Sequence, residues 1–284
     1  MKLDAHQHFW RTARADYGWL TPESGVLYRD YLPADLEPLL NTTAIDGTIL
    51  VQAAPTVAET HFMLSLAAEN AFIKGVVGWV DFESPSAAET VADLAAHRDL
   101  RGLRPMIQDI PDTNWMLRED LNPAFEALIE HDLAFDALTY PHHLKNLMRL
   151  LERYPDMRTI IDHGSKPQIR DGAFDSWAAD MKTLAQNTSA YCKVSGLVTE
   201  AASDWTVSDL QPYVSHLLET FGPHRLVWGS DWPVCLLAAS YDDWFDAAQT
   251  LIGQDETVSA AVFGGNASDF YRLAGSPRTP ATVD

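Results

Sequence analysis

Apolar residues along this chain recur with two periods, one typical of buried strands and one typical of helices. Short runs of β-branched and apolar residues predict eight strands, at residues 2–6, 47–53, 75–80, 101–107, 133–138, 157–162, 190–195 and 225–230. Helical stripes lie between most of these runs, and Leu144, Leu147 and Leu151 form one of them. Strands that alternate with helices in this way predict an α/β protein with the (β/α)8 TIM-barrel fold.

An open, doubly wound α/β sheet is the second fold that this alternation allows. No glycine-rich phosphate loop follows a predicted strand, which disfavours the nucleotide-binding form of that sheet. The sequence contains no linker, repeat or low-complexity tract. We therefore expect a single barrel domain over residues 1–275 and a loose C-terminal tail over 276–284.

Composition narrows the partners that such a barrel can have. Of the 284 residues, 46% are hydrophobic, which is enough for a large core. The chain has 20 basic and 40 acidic residues and a formal net charge of −20, so nucleic acid and anionic membrane surfaces are unfavourable partners. No signal-peptide pattern follows Met1, and no apolar run is long enough to span a membrane, so we expect a cytoplasmic protein.

Polar side chains close the predicted strands, which is where (β/α)8 barrels carry their chemistry. His6 and His8 stand two apart at the end of the first strand, so their imidazoles point to the same face. The other strands end, in chain order, with Gln52, Trp79 and Asp81, Arg104, Asp136 and Tyr140, His163 and Lys166, Lys193 and Ser195, and Asp231 and Trp232. Scattered positions thereby converge on one rim that holds histidines, a carboxylate and several cations, which predicts a hydrolytic site.

Several segments of the chain also resemble a known family. They are Asp-Ala-His-Gln-His-Phe-Trp at 4–10, Leu-Arg-Pro-Met at 103–106, Ile-Asp-His-Gly-Ser-Lys-Pro at 161–167, Cys-Lys-Val-Ser-Gly-Leu-Val-Thr-Glu at 192–200 and Trp-Gly-Ser-Asp-Trp-Pro at 228–233. Together they resemble the amidohydrolase superfamily, in its branch of lactone hydrolases that act on sugar acids and on lactones from aromatic breakdown. The stretches 192–200 and 221–241 are most similar to L-fuconolactone hydrolases.

This resemblance implies a role for each matched residue. His6 and His8 correspond to the first-strand pair, and His163 to the histidine after a central strand. Asp231 corresponds to the last-strand aspartate that activates water, and Arg104 to an arginine that contacts the lactone carbonyl region. The chain departs from the two-metal members, because the predicted strand 133–138 supplies no bridging lysine or glutamate and no second histidine closes strand 190–195. The resemblance thus implies one divalent ion or none.

The chemistry of lactone hydrolysis suits the same residues. The reaction needs a nucleophilic water and stabilisation of the oxyanion that forms at the carbonyl. Asp231 can accept the proton of the water and return it to the leaving ring oxygen, while the histidines and Arg104 polarise the carbonyl. Alternatively, one Zn²⁺ can do both, and its ligands would be His6, His8, His163 and Asp231. These residue types serve both mechanisms, so a metal ion is optional.

Other rim residues are candidates for binding the substrate. Lys166 and Lys193 can bind its hydroxyls or its carbonyl oxygen. Trp79 and Trp232 offer faces for sugar C–H groups, although packing in the core is the alternative for large aromatic side chains. The full set of predicted substrate-binding residues is Gln52, Trp79, Tyr140, Lys166, Lys193 and Trp232.

The sequence therefore predicts an enzyme that hydrolyses a small sugar-acid lactone in carbohydrate catabolism. The expected substrates are L-fucono-, L-galactono- or L-rhamnonolactone, and the product is the aldonic acid. Two alternatives use the same rim, a metal-dependent decarboxylase of the same superfamily and a non-catalytic barrel that binds a sugar acid. The sequence carries no signature of an oligomeric state.

Overall fold

Eight parallel strands form one sheet in chain order in the computed structural model, which describes residues 1–273. The strands are β1 Leu3–Gln7, β2 Gly47–Val51, β3 Ile73–Gly78, β4 Leu100–Leu103, β5 Ala134–Ala137, β6 Thr159–Ile161, β7 Tyr191–Val194 and β8 Leu226–Trp228. Every predicted strand is present, and most are shorter than predicted. The (β/α)8 barrel is confirmed as a single domain, and the open sheet is not formed.

Helices follow the strands and cover the outside of the barrel. Within residues 1–273 they are α1 Pro33–Thr43, α2 Val57–Glu69, α3 Ala87–Ala95, α4 Asn122–Glu130, α5 Leu144–Arg153, α6 Asp175–Asn187, α7 Leu197–Glu200, α8 Val207–Phe221, α9 Tyr241–Ile252, α10 Glu256–Ala260 and α11 Asn266–Phe270. The stripe on α5 is buried as its spacing predicts, with Leu144, Leu147 and Leu151 against the strands.

The barrel closes where the first strand meets the last. The amide of Asp231 donates to the carbonyl of His6 at 2.8 Å, and the amide of His8 donates to the carbonyl of Trp232 at 2.7 Å. Both hydrogen bonds lie just beyond the carboxyl end of β8. The closure therefore fixes the backbone of the first-strand histidines beside the backbone of Asp231.

A bulge in β1 changes which side chains face the barrel interior. Asp4 is opposite Thr48 and Gln7 is opposite Leu50, so three steps along β1 match two steps along β2. Before the bulge, Ala5 packs in the interior and Asp4 points outward to the hydroxyl of Tyr241 on α9. A regular strand would turn His6 outward after Ala5, whereas a bulge can re-aim it.

The interior of the barrel is divided along its axis. Its amino-terminal half is apolar, and Phe270 and Tyr271 from the end of the described chain close it from below. The strand residues of this layer are Leu3, Ala5, Ile49, Val51, Val77, Ala134, Ile160 and Val227. The carboxyl-terminal half is polar and contains the predicted site.

Two expectations concern the ends of the chain and membranes. The predicted tail over 276–284 lies outside the described residues, and the boundary at residue 275 stays a prediction. Among residues 1–273, no helix combines the length and apolar character needed to cross a membrane.

Candidate active site

Three histidines surround one oxygen of Asp231 at the carboxyl ends of β1, β6 and β8. The Oδ1 atom lies 3.2 Å from Nε2 of His8, 3.6 Å from Nε2 of His6 and 3.9 Å from Nε2 of His163. The two first-strand rings are also in contact, with 3.2 Å between their Nε2 atoms. All four side chains are buried. The structure thus brings together the four residues that the sequence predicts as ligands or catalysts.

The outer ring nitrogens of two histidines are held by neighbouring groups. Nδ1 of His8 is 2.8 Å from the carbonyl oxygen of Val51, so it must donate a proton there. Nδ1 of His163 is 2.8 Å from Oγ of Ser195. These contacts orient both rings and leave each Nε2 atom facing Asp231.

Two glycines make room for the histidine rings. A Cβ atom at Gly229 would lie 2.6 Å from Cβ of His6, and one at Gly196 would lie 2.6 Å from Nδ1 of His163. His163 and Asp231 themselves have left-handed backbones, with φ of 54° and 57°. Such backbone strain is tolerated where the surrounding structure fixes it, and it is frequent at functional sites.

A buried charge network lies beneath His6. Nζ of Lys193 is 3.1 Å from Nδ1 of His6, 2.5 Å from Oδ2 of Asp136 and 2.9 Å from Oδ1 of Asp162. The hydroxyl of Tyr271 donates to the same oxygen of Asp136 at 2.7 Å. The ammonium group of Lys193 thus contacts two carboxylates and the His6 ring, and it supports His6 from below.

Arg104 connects this network to the cavity. Its Nη1 atom donates to Oδ2 of Asp162 at 3.2 Å and lies 3.3 Å from Nε2 of His6, and Nη2 donates to the carbonyl of Gln52. In return, Nε2 of Gln52 donates to the carbonyl of Arg104 at 2.9 Å. The guanidinium group is therefore fixed in place, at 3% exposure, before any substrate binds.

Burial and nearby charge determine the protonation of the site. Burial by itself raises the pKa of Asp231, but the imidazoles of His163, His8 and His6 outweigh it and hold this pKa below the ordinary value. Burial lowers the pKa of His163 to about 4. Burial and then the charge of Lys193 place the pKa of His6 well below its usual range. At neutral pH, Asp231 is thus ionised while His6 and His163 are neutral.

A cavity of about 270 Å³ opens above these residues. It is lined by His8, Trp19, Leu27, Ala53, Arg104, Met106, Gln108, Asp109, Leu138, His163, Lys166, Asp231, Val234 and Leu237. A small pocket with apolar walls and a few convergent polar groups is typical of a site for a small molecule.

Three of the four predicted ligands form a compact set of metal donors. One ligand atom from each of His6, His163 and Asp231 lies within 4.8 Å of the other two. Two imidazoles and a carboxylate match the donors that catalytic zinc sites use, with a position left for water or substrate. His8 is outside this set, although it contacts both His6 and Asp231.

The predicted substrate-binding residues are spread over several places. Lys166 lines the cavity, and it also lines a neighbouring cavity together with Tyr140. Gln52 and Lys193 are buried behind the site. Trp79 is half-buried, and Trp232 packs edge-to-face against aromatic rings. Neither tryptophan lines the cavity, so substrate contact by these two stays a prediction.

Sequence reasoning missed two groups that line the cavity. Gln108 and Asp109 lie on the loop after β4. The sequence predicts that this strand runs to residue 107, but β4 ends at Leu103. Pro105 was the available signal, because proline has no amide proton for the ladder. The second group lies on the loops after β1 and β8 and includes Trp19, Leu27 and Leu237.

Comparisons with known proteins agree with this architecture. The sequence profile of the amidohydrolase family matches residues 3–273. An L-fucono-1,5-lactonase of Burkholderia ambifaria is 42% identical over 279 residues, which cover 96% of each chain, and one of Burkholderia multivorans is 39% identical over 288 residues with the same coverage. The crystal structure of an amidohydrolase from Burkholderia multivorans with bound zinc superimposes with a TM-score of 0.90 at 38% identity, covering 96% of this chain and 99% of that one.

Proposed function

The chain belongs to the amidohydrolase family, and from this premise we propose that it hydrolyses L-fucono-1,5-lactone or a close sugar-acid lactone to the aldonic acid. That the chain is a hydrolase of a cyclic ester rests on the relatives, which are named L-fucono-1,5-lactonase. The observation that carries the proposed mechanism is the ionised Asp231 among three imidazoles at the floor of a small cavity.

Asp231 is the proton acceptor in this mechanism. Its Oδ1 atom takes one proton from the water as the water oxygen bonds to the lactone carbonyl carbon. His8 can share that proton, because its Nε2 atom is 3.2 Å from Oδ1 and its Nδ1 proton is already donated to Val51. When the tetrahedral intermediate collapses, the bond to the ring oxygen breaks and the proton passes to that oxygen.

Arg104 and His163 stabilise the negative charge that develops on the carbonyl oxygen. Both line the cavity, and both are fixed by hydrogen bonds to groups behind it. Donors that are oriented before the reaction need no rearrangement as the charge forms, which makes such stabilisation effective. An ester is a reactive electrophile, so these groups and one carboxylate suffice for the steps described.

A divalent metal ion also fits these residues. Zn²⁺ would be held by His6, His163 and Asp231, and when bound it would acidify a water and polarise the carbonyl. The zinc-bound relative supports this proposal. In either form, Arg104 and the hydrogen bonds behind the histidines position the same groups.

Proton release tests the proposed function directly. Purified enzyme is mixed with freshly prepared L-fucono-1,5-lactone in weak buffer containing a pH indicator, before and after dialysis against a chelator. We expect acid release well above the spontaneous rate, with L-galactono- and L-rhamnonolactone as comparisons. No acceleration with any lactone would overturn the proposal, and release of CO₂ from a carboxylated aromatic acid would then identify a decarboxylase.

A further inference from the structure

Part of the cavity lining next to Asp231 is apolar, and the amide and cationic side chains of the lining lie across the barrel from it. The loops after the neighbouring strands β1 and β8 supply Leu27, Val234 and Leu237. The segments after β4, β5 and β6, across the barrel, supply Arg104, Gln108, Asp109 and Lys166, together with Met106 and Leu138. We propose that Leu27, Val234 and Leu237 form a wall that binds the methyl group of a 6-deoxy lactone and so select it over the 6-hydroxy analogue. This inference rests on the proposed lactone hydrolysis.

The wall is adjacent to the carboxylate that acts on the ring oxygen. Val234 follows Asp231 by three residues, and the amide of Cys235 donates to the carbonyl of Asp231 at 2.9 Å. The turn Val234–Leu237 also packs against the segment Pro22–Leu27. The apolar side chains and Asp231 are therefore parts of one fixed unit.

The covalent structure of the substrate then determines what meets this wall. In a 1,5-lactone the ring oxygen is bonded to C1 and to C5, and C5 carries the exocyclic carbon C6. The ring oxygen receives its proton from Asp231, so C6 lies only two bonds from an atom in contact with that residue. C6 can therefore reach the apolar side chains that line the same cavity as Asp231, which are Val234, the buried Leu27 at 3% exposure and Leu237 at 57%.

The opposite side of the cavity suits the ring hydroxyls. Oε1 of Gln108 is buried and has no hydrogen-bond partner among the described residues. It can accept a proton from a substrate hydroxyl, and Lys166 can donate to one. The hydroxyls on C2 to C4 and the substituent on C5 thus meet chemically different walls.

A hydroxyl on C6 would be unfavourable at the apolar wall. It would lose hydrogen bonds to water and gain no partner from Leu27, Val234 or Leu237. Apolar pockets discriminate only moderately against an added hydroxyl. Because Leu237 is partly exposed, we expect a preference of about tenfold in kcat/KM for the methyl compound.

The test compares L-fucono-1,5-lactone with L-galactono-1,5-lactone, which differ only by the hydroxyl on C6. Wild-type enzyme should prefer the former by about tenfold in kcat/KM. Val234→Thr, which adds one hydroxyl at nearly constant volume, and Leu237→Asn should each reduce this ratio to below about threefold. Val26→Thr is the matched control, because Val26 is 50% exposed and does not line the cavity, and its ratio should equal that of wild type.

The outcomes separate this inference from the proposed function. Equal hydrolysis of both lactones by wild-type enzyme, or an unchanged ratio in both wall variants, overturns the methyl-binding wall and leaves the lactonase proposal standing. Inertness toward both lactones overturns the wall, and it overturns the lactonase proposal as well if L-rhamnonolactone is also inert. A ratio that falls in the wall variants but not in Val26→Thr supports the wall.

Discussion

Asp231 and Glu59 are both buried carboxylates near the same cavity, yet their pKa values shift in opposite directions. Asp231 lies among three imidazoles, which keep its pKa below the ordinary value. Glu59 lies in the first turn of α2, where it accepts from the hydroxyl of Tyr17 at 2.8 Å and from the amide of Ala53 at 3.2 Å. Burial outweighs these bonds and the nearby Arg14, and it raises the pKa of Glu59 from 4.5 to about 7.

The difference shows that burial alone does not decide the charge of a carboxyl group. Desolvation raises the pKa of both groups, and only Asp231 has enough nearby imidazole to reverse that effect. Asp231 is therefore ionised at neutral pH and is available to accept a proton. Glu59 instead ties the loop after β1, through Tyr17, to the loop after β2.

The largest effect is expected for Asp231→Asn. The amide has nearly the same shape but cannot take a proton from water, so kcat should fall by about 10³-fold. Product affinity, measured by calorimetry, should stay within a few-fold of wild type. Glu59→Gln is the matched control, because it changes another buried carboxylate to its amide outside the reacting groups, and its kcat should stay within about threefold. Turnover by Asp231→Asn within tenfold of wild type would contradict the assignment of the base.

A second variant tests the buried carboxylates Asp136 and Asp162, whose charges are balanced by the ammonium group of Lys193. Lys193→Met leaves Asp136 and Asp162 buried without the ammonium group between them. Breaking a buried ion pair from one side destabilises a protein by about 3–5 kcal/mol. Urea unfolding should show this loss, whereas the exposed Lys182→Met on α6 should change the free energy of unfolding by less than about 0.5 kcal/mol. A loss below 1 kcal/mol for Lys193→Met would mean that the network is not coupled to stability.

The raised pKa of Glu59 predicts a pH dependence of stability. Between pH 4.5 and about 7 the folded state binds more protons at this site than the unfolded state, so stability falls as pH rises through this window. The contribution is about 3 kcal/mol, fully present below the window and lost above it. Subtracting the unfolding free energies of Glu59→Gln from those of wild type isolates it. A difference that does not change with pH would show that Glu59 titrates normally.

The smallest effect is expected for Tyr17→Phe. It removes one hydrogen bond to Glu59 and should cost about 1 kcal/mol of stability. The lost donor had lowered the pKa of Glu59, so this pKa should rise further and extend the pH window upward. Tyr28→Phe is a suitable control, because Tyr28 is 46% exposed. Equal pH windows in wild type and Tyr17→Phe would contradict the contact.

The parts of the structure that repeat were predictable from the sequence. The two hydrophobic periods identify the strands and helices, and parallel order places all strand ends on one rim, which brings His6, His163 and Asp231 together. The bulge in β1 was not predictable, because it depends on pairing with β2. An unbroken strand also aims His6 and His8 alike, so the histidine pair was recognised without it.

The role of Lys193 needed the three-dimensional pairing. In the sequence, a lysine near the end of a strand indicates a residue on the rim of the barrel that can contact the substrate. In the barrel it faces inward below the rim, where Asp136 and Asp162 from β5 and from the end of β6 converge on it. Which inward positions share a layer depends on strand stagger, and no local pattern in the sequence reports that stagger.

The two backbone hydrogen bonds that close the barrel also set when activity can arise during folding. His6 and Asp231 are held together by contacts between the first and the last strand, which are separated by most of the chain. During synthesis, β1 is made early but can pair with β8 only after most of the chain has been synthesised. The catalytic residues therefore assemble late in folding. A chain that stops before β8 has no partially active form. Turnover during refolding would therefore report the completed barrel rather than the formation of its parts.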